Sequence, residues 1–191
     1  MNPDAYYWNQ HYLEGNTGWD LGGPSPPIQE YFDQIEDKTV SILFPGAGIA
    51  HDALALFEKE FFNVFILDFA PEPLNRIKDT HPDFPEDHLL YEDFFSHRGS
   101  YDFVVEQTLF CAVDPSLREK YAKTAASLLG SSGKLVGVLF NRDFEGGPPF
   151  GGSASEYATY FAPHFRSVEM YDCYNSIEPR QGSELFIRMS P

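Results

Sequence analysis

The sequence predicts an α/β fold: one mostly parallel sheet of seven strands, helices on both of its faces, and an antiparallel edge at the C-terminal end. Three observations carry that prediction. Short runs rich in Val, Ile, Leu and Phe alternate with segments whose apolar residues recur near helical spacing. A chain of 191 residues suits one domain with a single core. The last two apolar runs follow each other with no helical segment between them. Strands that alternate with helices form parallel sheets covered on both faces, and two strands joined by a loop close as an antiparallel pair.

Each element has its own signal. Residues 1–38 are rich in aromatic residues, Gly and Pro, with Gly22-Gly23-Pro24-Ser25-Pro26-Pro27 as a rigid turn, so they read as loop and short helix leaning on the rest. The first strand, 40–44, ends at Pro45-Gly46-Ala47-Gly48, and residues 51–57 follow as a helix. A second strand, 64–67, ends in Asp68, and Pro71-Glu72-Pro73-Leu74 opens a helix, since proline suits the first turn. Residues 88–91 make a short third strand and 101–106 a fourth. A helix at 117–129 leads through a turn at Gly133-Lys134 into a fifth strand, 135–140. Residues 153–161 read as helix, and strands at 165–171 and 185–189 close the chain through a loop of Asn, Pro, Arg and Gly. The division expected is an N-terminal segment, 1–38, on a core, 39–191, within one domain.

Composition narrows the function. The formal net charge of −16 would repel the phosphate backbone of nucleic acid, yet it tolerates a cationic ligand. Aromatic residues reach 16%, enough both to fill a core and to line a pocket for a flat ligand. Two cysteines, Cys111 and Cys173, make neither a disulfide framework nor a zinc pattern, and point to a reducing compartment. The first residues lack a basic region followed by an apolar run, and no stretch is apolar for long enough to span a bilayer. A cytoplasmic, monomeric protein with no membrane or metal partner is the expectation.

The turn after the first strand is the strongest candidate site. Gly46 and Gly48 allow a sharp bend and a close backbone approach to a ligand, and Asp68 follows Gly48 by 20 residues at the tip of the second strand, where a carboxylate can accept from ribose hydroxyls. A dinucleotide site wants Gly or Ala at the third fingerprint position; His51 stands there, which disfavours NAD. S-adenosylmethionine has no pyrophosphate to cradle and does not need that glycine. Asp93 and Phe94, just past the third strand, could accept the adenine amino group and lie against its ring, or equally form an N-cap followed by core.

Three further stretches carry a family resemblance. Trp8, Tyr12 and Gly15-Asn16-Thr17-Gly18-Trp19-Asp20-Leu21-Gly22 form the first, Phe110-Cys111-Ala112-Val113-Asp114-Pro115-Ser116-Leu117-Arg118 the second, and Glu145-Gly146-Gly147-Pro148-Pro149-Phe150 the third. In this order they resemble the thiopurine methyltransferase family, closest to its plant halide/thiol branch, over nearly the whole chain. The resemblance implies a Rossmann-like class I methyltransferase fold that uses S-adenosylmethionine and releases S-adenosylhomocysteine. It implies an aromatic lid of Trp8, Tyr12 and Trp19 over the cofactor, although the plant branch has Trp at the position of Tyr12. Glu106 falls where the family usually has Asp, as a cofactor residue. Gln107 falls where thiopurine enzymes carry Arg and the plant branch Tyr.

The reaction so implied is in-line transfer of a sulfonium methyl group to a thiol, hydrosulfide, thiocyanate, halide or aromatic thiol. The leaving group is already excellent, so orientation and desolvation can supply most of the rate. Gln107 and Arg142 are the candidate catalytic side chains, and Trp19, Leu21, Phe110 and Phe150 the candidate walls for a small-molecule acceptor. Arg180 is a further cation that could meet an anion, though a solvated arginine is the ordinary outcome. His51, His81, His88, His97 and His164 are scattered and suit surface or capping roles better than that of a base. Two other readings compete: a nicotinamide oxidoreductase on a similar sheet, and a non-catalytic module that only binds the nucleotide.

Overall fold

Ile42–Pro45 (β1) has no polar face, and all four residues are buried, as a strand at the middle of a doubly covered sheet must be. In the computed structural model, which describes residues 3–191, β1 pairs in parallel with Val64–Asp68 (β2) on one side and Tyr101–Gln107 (β4) on the other. Leu89–Tyr91 (β3) extends the sheet beyond β2, and Leu129–Phe140 (β5) lies beside β4, both parallel. Glu184–Ser190 (β7) then runs antiparallel to β5, with Leu135 opposite Met189, and Ser167–Asp172 (β6) runs antiparallel to β7 at the edge. The order is β3-β2-β1-β4-β5-β7-β6. The mostly parallel seven-stranded sheet with an antiparallel C-terminal edge is therefore as expected, with the last strand inserted between its neighbours.

Helices cover both faces because successive strand residues point to opposite sides. Ile42 and Phe44 face a core with Phe32, Leu56, Phe61 and Ile66; Leu43 faces a second core with Val104, Phe110, Tyr121 and Phe161. Phe32 and Phe61 are wholly out of water, which is worth ~2–3 kcal/mol apiece. The N-terminal stretch holds two helices. Ala5–Glu14 (α1) starts at Asp4, whose side chain accepts from the Tyr7 N–H, and ends at left-handed Gly15; Pro26–Asp33 (α2) starts at its prolines. His51–Glu58 (α3) and Pro71–Thr80 (α4) follow β1 and β2. Leu109–Ala112 (α5) is a single turn after β4, followed by Arg118–Ser127 (α6) and by Ala154–Phe161 (α7), which Ser153 caps.

Several boundaries differ from the sequence reading, among them the strand expected over 165–171, which runs from Ser167 to Asp172. The helix expected over 117–129 stops at Ser127, and residues 129–134 extend β5 instead, Leu129 pairing with Tyr101 before the register shifts ahead of Phe103. Gly130-Ser131-Ser132-Gly133 offers a helix no apolar stripe, while the start of β4 offers backbone partners. β1 begins at Ile42 rather than at residue 40.

Candidate active site

The parallel strands point their C-terminal ends at a cavity of about 470 Å³. Gly46 and Gly48 turn the chain there with φ of +58° and +53°, a left-handed backbone that favours glycine. A Cβ on Gly46 would meet Leu109 Cδ1 at 2.6 Å, and one on Gly48 would strike the Tyr12 hydroxyl. Asp68, buried at the tip of β2, reaches back to this bend: its Oδ2 accepts from the Gly48 N–H at 3.0 Å and its Oδ1 from the Ala70 N–H at 2.8 Å. The two features expected to meet do meet. Burial pushes the Asp68 carboxyl up to about 6, although the backbone donors of Ala70 and Gly48 oppose the shift.

Residues before α2 roof the cavity. Trp8, Tyr12 and Trp19 all line it, with Trp19 edge-on to Trp8 at 5.2 Å and to Tyr12 at 5.7 Å between ring centroids. The roof is fastened to α4, where the Glu72 N–H donates to Asn9 Oδ1 at 2.9 Å and Arg76 donates to the Tyr12 carbonyl. Asp93 and Phe94 also line the wall. Asp93 Oδ1 accepts from the Phe95 N–H at 3.0 Å, and Phe94 packs against Tyr121, so both hold local structure while facing the cavity. Behind Trp19 and Gly46 lies a narrower cleft of about 60 Å³ lined by Leu21, Gly48, His51 and Gln107. The Gln107 Nε2 is buried there without a hydrogen-bond partner.

Four expected site residues lie elsewhere. Glu106 is not on either wall; its carboxylate accepts from the Phe110 N–H at 2.8 Å and from the Tyr121 hydroxyl, and burial pushes it up to about 7. Alternation along β4 turns Glu106 toward α6 and Gln107 toward the cleft. Phe110 is a core residue among Tyr121, Tyr157 and Phe161. Phe150 folds back over Gly147 and donates its N–H to the Cys111 carbonyl at 2.6 Å; Pro148 and Pro149 form the wall in its place. Arg142 is exposed, its guanidinium over Phe144.

Other residues stand where those were expected. Tyr7, His11 and Phe69 line the main cavity, and Phe69 had a sequence signal as the aromatic neighbour of Asp68. Arg180 donates to the Trp19 carbonyl at 2.8 Å, pairs with Glu184 at 3.2 Å, and borders a small void of about 10 Å³ with Thr108 and Cys111. Burial pushes the Cys111 thiol up to about 12, which leaves it unreactive. Among the described residues no three His, Cys, Asp or Glu side chains converge as a metal site, and no helix is long and apolar enough to cross a membrane.

Comparison with known proteins bears on the family and the fold. The model of the family described as Thiopurine S-methyltransferase (TPMT) matches residues 3–186. Thiocyanate methyltransferase 1 of Brassica oleracea is 30% identical over 184 residues, covering 93% of this chain and 81% of the relative. Its Arabidopsis thaliana namesake is 29% identical over the same shares. Thiopurine S-methyltransferase of Acinetobacter baylyi is 22% identical over 179 residues, 82% of each chain. Among solved structures, a Burkholderia thailandensis 1,6-didemethyltoxoflavin-N1-methyltransferase with bound S-adenosylhomocysteine superposes with a TM-score of 0.71 at 16% identity, covering 97% of this chain and 86% of that one. A TehB-like methyltransferase from Corynebacterium glutamicum gives 0.64 at 15% identity, with 97% of both chains covered. At such identities the structures establish the fold, a Rossmann-like α/β sheet.

Proposed function

The chain belongs to the thiopurine S-methyltransferase family and is an S-adenosylmethionine-dependent methyltransferase, and on that premise we propose that it methylates a small soft nucleophile: a thiol, hydrosulfide, thiocyanate or halide. The observation that carries the site assignment is the contact between the Gly48 N–H and the Asp68 carboxylate on the edge of a cavity roofed by tryptophan. An adenosyl group fits these residues. Glycine at 46 and 48 holds the left-handed bend at the cavity edge, with Leu109 and Tyr12 packed where a Cβ would stand, and Asp68 lines the cavity with acceptor capacity beyond the backbone N–H groups of Gly48, Phe69 and Ala70. In this reading Asp68 accepts from the ribose, and Phe69, Asp93 and Phe94 meet the adenine. The segment 1–38 acts as a lid on the core 39–191, its Trp8, Tyr12 and Trp19 excluding water and offering π faces to a cation.

When bound, the cofactor supplies an electrophilic methyl group on a good leaving group. The chain's own residues then orient and desolvate the acceptor. Gln107 Nε2, the one candidate catalytic group that reaches the cleft, is a donor awaiting an acceptor atom, whereas Arg180 is already paired with Glu184 beside a void of about 10 Å³, room for no more than a water. A thiol acceptor must ionise before it attacks, and no side-chain base is required for a halide or thiocyanate. The test is a methyl-transfer screen across aromatic thiols, hydrosulfide, thiocyanate and iodide, reading out S-adenosylhomocysteine. Turnover on one of them is the expected result. Tight S-adenosylhomocysteine binding with no turnover on any would turn the reading into that of a binding module.

A further inference from the structure

The residue that breaks the dinucleotide fingerprint has a partner in the roof. His51, in the first turn of α3, points its Nε2 at Asp20 Oδ1 at 2.9 Å, and the same carboxylate oxygen accepts from the Gly22 N–H at 2.9 Å. Asp20 follows Trp19, whose carbonyl is held from the opposite side by Arg180 at 2.8 Å. Trp19 in turn carries Trp8 edge-on. Both ends of this clip are part-shielded from solvent, His51 at 32% and Asp20 at 22% side-chain exposure, so the bond is worth more than a surface pair. A glycine at position 51, as a pyrophosphate site would want, could not reach the roof at all.

We propose that His51 is a positioning residue: by gripping Asp20 it sets Trp19 over the methyl-transfer site and keeps the roof closed on the cofactor. The inference rests on the cofactor reading above, but its first test does not. Both tryptophans of the chain, Trp8 and Trp19, lie in the roof, so intrinsic fluorescence reports its closure in the protein alone. His51→Ala is expected to raise acrylamide quenching of the free protein, to weaken S-adenosylhomocysteine binding in calorimetry by about fivefold, and to raise KM for the cofactor more than it lowers kcat. His51→Gln, which keeps a neutral donor, is expected to restore most of the wild-type quenching. The double variant with Asp20→Ala should fall short of the sum of the two single effects, because the His51 bond can be lost only once, while the Asp20–Gly22 contact is lost in either background.

Unchanged quenching in His51→Ala overturns the proposal, as do a fully additive double variant and a His51→Gln as impaired as His51→Ala. Circular dichroism and the Tm separate unfolding from lid release, and His51→Gln carries the test if His51→Ala fails to fold. If wild-type protein binds no S-adenosylhomocysteine, the cofactor reading fails, while the quenching result still decides the role of His51.

Discussion

Asp68 pins the bend after β1 through the Gly48 N–H and lines the cavity. On the proposed reading, Asp68→Ala removes a ribose acceptor and loosens the turn together. Isothermal titration with S-adenosylhomocysteine is expected to show a loss of ~1–3 kcal/mol, and unchanged affinity would count against the site. The buried carboxylates also set a pH dependence. Burial raises Glu106 to about 7, and Asp52 and Asp68 to about 6. A raised folded-state value means that the native protein holds these protons more tightly than the unfolded chain. Their contribution is fully present below the ordinary carboxylate range and is lost as pH rises through 6 and 7. The Tm should thus climb as pH falls from 8 toward 5. Glu106→Gln, which keeps an acceptor for the Phe110 N–H without a charge to bury, should flatten that climb. An equally steep profile in the variant would assign the dependence to other groups.

At the scale of elements, the loop after β5 is held by α6. Arg118 is almost wholly buried, donates to the Phe150 and Gly151 carbonyls at 3.1 and 2.9 Å, pairs with Glu156 at 2.9 Å, and lies over the Phe110 ring. Arg118→Met leaves those two carbonyls without a donor, while Glu156, at 39% exposure, falls back on water, and urea unfolding is expected to show a loss of ~1–3 kcal/mol. A loss under 1 kcal/mol would mean that the loop holds itself. This tether also explains which parts of the site were legible in sequence. The strands stood out because burial on both faces makes them continuous apolar runs, and Gly46, Gly48 and Asp68 stood out because parallel topology brings strand tips together at a regular spacing. The side chains beyond β4 and β5 follow no such period. Thr108 takes a left-handed φ of +67° with no glycine to announce it, and the α5 turn then sends Phe110 into the core and Cys111 to the wall. The Phe150 carbonyl, in the turn that folds over Gly147, meets Arg118 from 32 positions away. Neither is visible in a local window.

At the scale of the whole molecule, the net charge of −16 acts on the cationic cofactor and, with opposite sign, on any acceptor that is an anion. A negative field draws a sulfonium cation toward the cavity and repels an anionic acceptor, and the Arg180 guanidinium, paired with Glu184, offsets little of it. Salt screens the distant charges first, because the Debye length shrinks from about 30 Å at 0.01 M to about 8 Å at 0.15 M, whereas a cation lining the site is screened less. Raising the ionic strength with a non-nucleophilic salt such as sodium sulfate should then lower KM for thiocyanate or iodide by about threefold and raise KM for S-adenosylmethionine. A neutral acceptor that ionises only within the site should show no such fall. Initial-rate measurements on each acceptor across that range separate the two classes. A KM for the anion that stays flat or rises with salt would mean that local positive charge, not the molecular field, governs its approach, and would move the search for specificity wholly to Gln107 and Arg180.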